Sequence, residues 1–304
     1  LEEAIEAVNQ VDYGLTSGLQ TLDTDELAAW LEGIEAGNLY VNRGITGAIV
    51  RRQPFGGWKR SAIGSTTKAG GPSYLLGLGD IEAVRDTSVG MRASQRAPLA
   101  SGVLALCESV RGQLSEADMT DLRRALAADA DAWASDYGVN RDVTSLACER
   151  NILRYRPTPV LVRAGGGTSL VDTVRVLAAG ILAGGPIGLS VADDLPLPLR
   201  QFLESAGVDV SVEDDHTWNA RLAGVATSGG LGVRVRILGP REETSEQRWV
   251  HASRASWGSP DVALYTGAVT PCPHSELAPF LREQAVSITN HRFGTPLDLA
   301  AQLL

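Results

Sequence analysis

Apolar positions recur along the chain with two periods. Over residues 1–10 (LEEAIEAVNQ), Ala4, Ile5 and Val8 share one face and Glu2 and Glu3 fill the first turn, the pattern of an amphipathic helix. Asp12, Tyr13 and Gly14 read as a turn and 15–21 as a short apolar strand. Asp23 or Thr24 then caps a helix over 26–35 whose core face is Leu27, Trp30, Leu31 and Ile34. Gly37 is expected to end that helix in a left-handed conformation, ahead of a strand over 38–42. Helix and strand alternating at this spacing predict α/β packing.

The pattern then breaks. Residues 43–79 are basic, rich in glycine (Gly44, Gly47, Gly56, Gly57, Gly64, Gly70, Gly71) and without periodicity, and long aperiodic loops inside domains usually bind something. The plainer account is a flap or arm covering a neighbouring subunit. Residues 80–100 are polar and read as a linker, and 103–134 carry helical spacing (Leu104, Val110, Leu122, Leu126, Ala130, Trp133). From 149 the alternation returns. Strands are predicted at 152–155, 160–162, 187–191, 208–212, 233–238, 262–265 and 286–289, with helices at 169–183, 196–206, 215–223 and 274–283. That is a doubly wound, Rossmann-like order.

Composition narrows the class. With 304 residues, two domains are the better prior over one. The charge is 27 − 36 = −9, and without Lys/Arg runs such a chain is a poor partner for nucleic acid or an anionic membrane. Cys107, Cys148 and Cys272 are far apart and form no CxxC pair, which excludes a disulfide framework and speaks against structural zinc. A reducing, cytoplasmic compartment is expected. No apolar run reaches the roughly 18 residues of a membrane span. The start at Leu1, straight into Glu2-Glu3-Ala4-Ile5, is not a signal peptide and reads as a chain cut within a domain.

The tail also echoes the head. SELAPFLREQAVSITNHRFG (275–294) lies on DELAAWLEGIEAGNLYVNRG (25–44) with one residue fewer, setting Ile288 on Leu39 and Arg292 on Arg43. The preceding strands match as well, VALYTGAVT (262–270) against GLTSGLQT (14–21). Two successive units in the same order favour common ancestry over chance. The second copy has no equivalent of the 47–72 loop, so it is expected to be structural.

Four segments carry a family resemblance: YGLTSGLQT (13–21), AGNLYVNR (36–43), QPFGG (53–57) and KAGGPSYLLGL (68–78). Together they resemble the C-terminal end of an aldehyde dehydrogenase. GAIVRRQPFGG followed by KAGGPSYL is similar to L-glutamate γ-semialdehyde (pyrroline-5-carboxylate) dehydrogenase, and more narrowly to the second domain of bifunctional proline utilization A proteins. Residues 145–304 are similar to the extra aldehyde-dehydrogenase-like domain of longer members. The resemblance implies an α/β fold in three parts. Residues 1–80 would be the end of the catalytic domain with its substrate anchor loop and arm, 81–145 a linker with helices, and 146–304 a degenerate Rossmann-like domain without catalysis. It implies thiolate attack on an aldehyde, hydride transfer to NAD and release of glutamate by water. It also implies a cysteine nucleophile and most of the NAD site ahead of Leu1, so this fragment alone would be inactive. A homo-oligomer is implied, with a possible FAD-binding proline dehydrogenase domain in the same polypeptide and membrane association only through absent parts.

Carried onto this sequence, the resemblance makes Gly47 and Ala48 the anchor-loop positions whose amides hold the substrate's α-carboxylate, and Phe55 the wall against its aliphatic part. Glycine lets a backbone approach an anion, and amides bind carboxylate without adding charge. Some members have serine where Ala48 stands, so only the amide remains here. Arg51 and Arg52 read as exposed flap residues, and the three cysteines as structural. A rival reading makes the chain a non-catalytic module that closes a substrate channel or stabilises an oligomer.

Other sites are weaker. Gly165-Gly166-Gly167 follows a strand and opens a helix capped by Thr168 or Ser169, where a dinucleotide phosphate can sit. The third glycine of GxGxxG falls on Leu170, so a tight turn is the plainer account. Asp193-Asp194 read as a helix cap. Glu213-Asp214-Asp215-His216 reads as a charged helix start with no further metal ligand. His216, His251, His274 and His291 have no fixed spacing and are expected at the surface, while 291–294 is a possible docking segment.

Overall fold

The computed structural model describes residues 1–50, 52–65, 67–79, 97–142, 144–227, 232–292, 294–296 and 299–304. Of the expected linker over 80–100, residues 80–96 lie outside these, as do Arg51 and Phe293.

α1 (Glu2–Asn9) opens with Glu2 and Glu3, carboxylates that complement the helix dipole. Strands β1 (Tyr13–Gly14) and β2 (Thr16–Leu19) follow. α2 (Thr24–Gly33) begins where the Asp23 carboxylate accepts the amides of Asp25 and Glu26. Then come β3 (Asn38–Val41), β4 (Trp58–Lys59) and a 3-10 turn at Tyr74–Gly77. α3 (Ser101–Ser109) and α4 (Glu116–Ala132) form a helical pair, the second capped by Ser115 and continuing into a π-turn at Trp133–Tyr137. The remaining elements are β5 (Arg141–Asp142), β6 (Glu149–Pro157), β7 (Val160–Ala164), α5 (Leu170–Ala183), β8 (Ile187–Val191), α6 (Leu197–Ser205), β9 (Asp209–Val212) and α7 (Asp215–Thr227). After these run β10 (Val233–Leu238), α8 (Ser245–Ala255), β11 (Val262–Tyr265), α9 (Pro273–Leu277) and β12 (Leu281–Thr289). A small hairpin, β13 (His291–Arg292) with β14 (Thr295–Pro296), follows them.

The elements form two compact units. Unit 1 gathers Leu1–Gly77, Asp136–Arg156 and Arg282–Leu304, and unit 2 Leu78–Ser135 with Pro157–Leu281. Strand pairing, not chain position, assembles unit 1. Its main sheet has the order β2-β3-β12-β6-β5. β3 runs parallel to both β2 and β12, with Leu39 opposite Ser17 and Val286. All four residues of β3 are buried, and its Leu39 and Val41 join Leu27, Trp30, Leu31, Ile34, Ile152, Val286 and Ile288 in one core. The expected core face of α2 is that core's helical side.

Unit 2 is a parallel five-stranded sheet in the order β11-β10-β7-β8-β9. The order reverses around β7, as in doubly wound folds. Trp218, Leu222, Val235, Ile237, Ala252 and Val262 form one of its cores. The echoed strands separate: β11 pairs with β10 in this sheet, whereas β12 lies beside β3, the strand it resembles.

Several expectations give way. Gly37 is not a left-handed cap, because α2 stops at Gly33, Ile34 is already extended and Gly37 has no positive φ. What requires glycine there is contact: a Cβ would lie 2.1 Å from the Gly56 carbonyl oxygen. Val110 is buried as expected, but Leu104 is exposed and Val103 and Leu106 take its place on the buried face of α3. The helix expected over 274–283 ends early, and β12 already begins at Leu281. α6 has Pro196 at its N-cap and no side-chain cap, so Asp193 and Asp194 do not cap it. α8 was not expected; its start is a capping box between Thr244 and Gln247.

Candidate functional site

The aperiodic segment 43–79 is anchored at its entry and at intervals as far as Ala69. Its entry is fixed by Arg43, whose guanidinium donates to Ser287 Oγ at 2.6 Å and pairs with Glu149 at 3.0 Å. Gly47 has φ +82°, a conformation that costs glycine nothing and strains other residues. Among the described residues, neither the Gly47 nor the Ala48 amide donates a hydrogen bond. Ile49, the next residue, donates its amide to Gln53 Oε1 at 2.8 Å.

Gln53 is the brace of this loop. It is buried at 5% exposure, and its Nε2 donates to Asn151 Oδ1 at 2.7 Å and Ser287 Oγ at 2.9 Å. Those two acceptors force the amide's orientation, which turns Oε1 toward Ile49. Asn151 is oriented in turn by donating to Glu149 and Thr144. Arg52 pairs at 3.8 Å with Glu149, so it is engaged with the sheet and is not a free flap cation.

Phe55 stands on a second braced stretch, with 37% of its surface exposed. Its backbone exchanges both hydrogen bonds with Ala69 at 3.0 Å. Asn38 on β3 grips the flanking peptides, donating to Pro54 O and accepting from Gly56 N, both at 3.1 Å. Lys68 completes the grip: its Nζ donates to Asn38 Oδ1 at 2.9 Å and to Gly56 O. Burial pulls the Lys68 pKa down to about 7, against the opposing pull of Glu283. Glu283, on β12, accepts the Lys68 backbone amide at 2.8 Å. Trp58 donates to the Glu283 carbonyl at 2.9 Å, which ties the far side of QPFGG to the same strand.

The arrangement thus offers two amides without acceptors on a loop bearing a left-handed glycine, and a half-exposed ring on a rigid strand-like stretch. Gly47, Ala48 and Phe55 are legible in the sequence as site candidates; Asn38, Gln53, Lys68, Asn151, Glu283 and Ser287 are not. Gln53 and Lys68 belong to the QPFGG and KAGGP segments, so their signal was present; the partners on β6 and β12 had none.

Unit 2 uses its glycines differently. The Gly165 amide donates to Leu238 O at 3.1 Å, and the Thr168 hydroxyl to Gly165 O at 2.6 Å. Gly167 turns the chain with φ +76°, and Ser169 caps α5 by accepting the Asp172 amide. The amides of Gly165, Thr168 and Asp172 go to β10, a turn and a cap, while those of Gly166 and Gly167 have no acceptor among the described residues. The acidic cluster is also engaged: Asp214 accepts Thr217 N, Glu213 pairs with Arg221 and Asp215 with Arg163. Among the described residues no group of three or more His, Cys, Asp or Glu is placed to hold a metal ion. All four histidines are exposed, and the three cysteines are free thiols, the Cys107 thiol pushed up by burial. No helix among the described residues is long and apolar enough to cross a membrane.

Residues 1–78 match the aldehyde dehydrogenase family. The chain as a whole is similar to proline utilization A. It is 30% identical over 240 residues to the bifunctional protein PutA of Rhizobium meliloti, covering 78% of this chain and 18% of that protein. The solved structure of proline utilization A from Corynebacterium freiburgense is 33% identical, with a TM-score of 0.65 over 97% of this chain and 25% of that one. The head of the chain is 47% identical over 75 residues to 1-pyrroline-5-carboxylate dehydrogenase of Bacillus subtilis (strain 168), or 25% of this chain and 14% of that enzyme. The chain therefore spans a quarter or less of the length of these relatives.

Proposed function

We propose that this chain forms part of an NAD-dependent dehydrogenase that oxidises L-glutamate γ-semialdehyde, from pyrroline-5-carboxylate, to L-glutamate in proline catabolism. The observation that carries the reading is the pair of unspent amides at Gly47 and Ala48, on a loop whose conformation Gln53 holds from behind. Such a loop is pre-organised for a carboxylate. Phe55 supplies the apolar surface beside it, so the anchor holds the α-carboxylate and the ring packs on the methylenes. Fixing the carboxylate and the methylenes behind it orients the aldehyde carbon for attack.

The nucleophile is not among this chain's cysteines. Cys107 lies in α3 of unit 2, Cys148 beside β6 and Cys272 at the start of α9, none of them in the braced loop. NAD, when bound, accepts the hydride; the glycine loop at 165–167 departs from GxGxxG at Leu170 and spends Gly165 and Thr168 on β10 and a turn. In this reading NAD is held by other parts of the intact protein. A proline dehydrogenase domain with FAD, a cytoplasmic location and a homo-oligomeric assembly follow from the likeness to PutA and belong to the same proposal.

Phe55→Ala in the full-length protein tests the pocket. A raised KM for the semialdehyde is expected, and an unchanged KM would remove Phe55 from the site. A second reading concerns unit 2 as a non-catalytic module that closes a channel or stabilises an assembly. Its glycine loop, with Leu170 where GxGxxG needs its third glycine, favours that role over cofactor binding. Calorimetric titration of this chain with NAD is expected to give no heat, and a saturable heat would overturn it.

A further inference from the structure

We propose that Lys68 is a positioning residue for the aldehyde pocket: with Asn38 it clamps the peptides on either side of Phe55 and so sets where the ring stands. The inference rests on the reading that Phe55 packs against the substrate.

The geometry is a closed frame around three residues. Asn38 spans the stretch as a neighbouring strand would, donating to Pro54 O and accepting from Gly56 N. The Lys68 ammonium joins the two halves, donating to Asn38 Oδ1 and to Gly56 O. Ala69, the next residue, holds the Phe55 amide and carbonyl from the other edge. Neighbouring glycines leave the room this requires. A Cβ on Gly37 would stand 2.9 Å from Lys68 Nζ, and one on Gly56 would stand 3.3 Å from Lys68 Cγ.

Lysine at this place is costly as filler. Its side chain is buried at 3% exposure, and removing an ammonium from water is unfavourable unless its donors are used. Methionine would fill similar volume without that penalty. An ammonium, however, donates in three directions and holds acceptors on two separate segments at once. Glu283 takes the Lys68 backbone amide, and its carboxylate keeps the charge tolerable from the side of β12. The side chain touches the substrate wall only through its backbone, which makes its role positional.

The test uses the full-length protein with pyrroline-5-carboxylate as the source of aldehyde, and follows NAD reduction. Lys68→Met is expected to raise the aldehyde KM about tenfold while kcat and the KM for NAD stay within about twofold. The two substitutions are then combined. If Lys68 acts through the ring, Lys68→Met adds nothing further in a Phe55→Ala background. An unchanged KM in Lys68→Met, with Phe55→Ala still raising it, overturns this inference and leaves the pocket reading standing. An equal effect of Lys68→Met with and without Phe55 also overturns it. An unchanged KM in Phe55→Ala overturns the pocket reading itself. Should Lys68→Met not fold, Lys68→Gln carries the same measurement with the same outcomes. In this chain alone, Lys68→Met is expected to speed amide exchange over 53–57 and leave α2 unchanged; unaltered exchange there would show that no clamp exists.

Discussion

Unit 1 and unit 2 each carry a glycine-rich segment that the sequence marks as a binding candidate; each leaves two adjacent amides without acceptors among the described residues, and they differ in what braces the loop. In unit 2 the amide of Gly165 is donated to β10, Gly167 makes a turn and Ser169 closes the helix. In unit 1 the amides of Gly47 and Ala48 remain without acceptors, while side-chain amides from Asn38 and Gln53 hold the backbone around them. Glycine content is therefore a poor guide to binding. The informative question is what holds the loop: backbone bonds and a helix cap in unit 2, side chains reaching over from the strands in unit 1. The units also differ in what they bury. Unit 2 closes its core with ion pairs, Arg175 bidentate to Asp129 at 2.6 and 2.9 Å and Arg236 to Glu276 at 3.2 Å. Behind its loop, unit 1 relies mainly on neutral carboxamides.

The largest expected effect lies in unit 2. Asp129→Ala leaves the Arg175 guanidinium buried and unpaired, at a cost of about 3–5 kcal/mol by thermal denaturation, whereas Asp129→Leu with Arg175→Met is expected near neutral. Aldehyde KM in the full-length protein should not change, and a change would show that unit 2 reaches the chemistry. The pair also has a pH signature. Burial raises the Asp129 carboxyl to about 6 from its ordinary 3.8, although Arg175 opposes it. A group with a raised folded value contributes most below its unfolded value. Its contribution declines as pH rises from 3.8 to about 6. Asp129→Asn should abolish that slope. In unit 1, Gly37→Ala comes next. The new methyl meets the Gly56 oxygen at 2.1 Å and the Lys68 ammonium at 2.9 Å. Overpacking of this kind costs about 1–3 kcal/mol, and a raised aldehyde KM should accompany it.

The contrast between the units also explains which elements were legible. Strands 187–191, 233–238 and 262–265 coincide with β8, β10 and β11 to the residue. Parallel strands covered on both faces read as continuous apolar runs between helices. α8 escaped notice because its sequence has little apolar face: Trp249 is 51% exposed, and only Arg248 and Ala252 are buried. Of the loop, the residues with local signatures were visible, a glycine with positive φ and a phenylalanine in QPFGG. The braces were not, because Gln53 meets Ser287 and Lys68 meets Glu283 across more than two hundred residues. No local periodicity encodes such a pairing.

Gln53→Leu probes the loop itself with a smaller expected effect. Both acceptors of its Nε2 keep another donor, since Ser287 still receives Arg43 and Asn151 Oδ1 still receives Ser287 Oγ. The loss should therefore be near the net value of a hydrogen bond, about 1 kcal/mol. Yet the Ile49 amide loses its acceptor, so exchange at Ile49 should quicken and aldehyde KM rise. A KM as in the wild type would place the anchor elsewhere.

The smallest effect sharpens the comparison of ion pairs. Arg156 reaches Glu32 at 2.5 Å in unit 1, but 73% of the glutamate side chain is exposed. Its hydrogen bond to Arg156 holds the Glu32 carboxyl below its ordinary 4.5, the opposite direction from Asp129. The same chemistry changes sign because water, not protein, surrounds most of this carboxylate. A lowered folded value means stability that is present above 4.5 and lost as pH falls through the folded value. Solvent screening keeps it small, under about 1 kcal/mol. Arg156→Ala should therefore lower the unfolding midpoint of unit 1 slightly at neutral pH, and the difference from wild type should vanish in acid. A loss as large as that of Asp129→Ala would mean that this pair is a structural member of the core, and that burial does not separate the two kinds of pair.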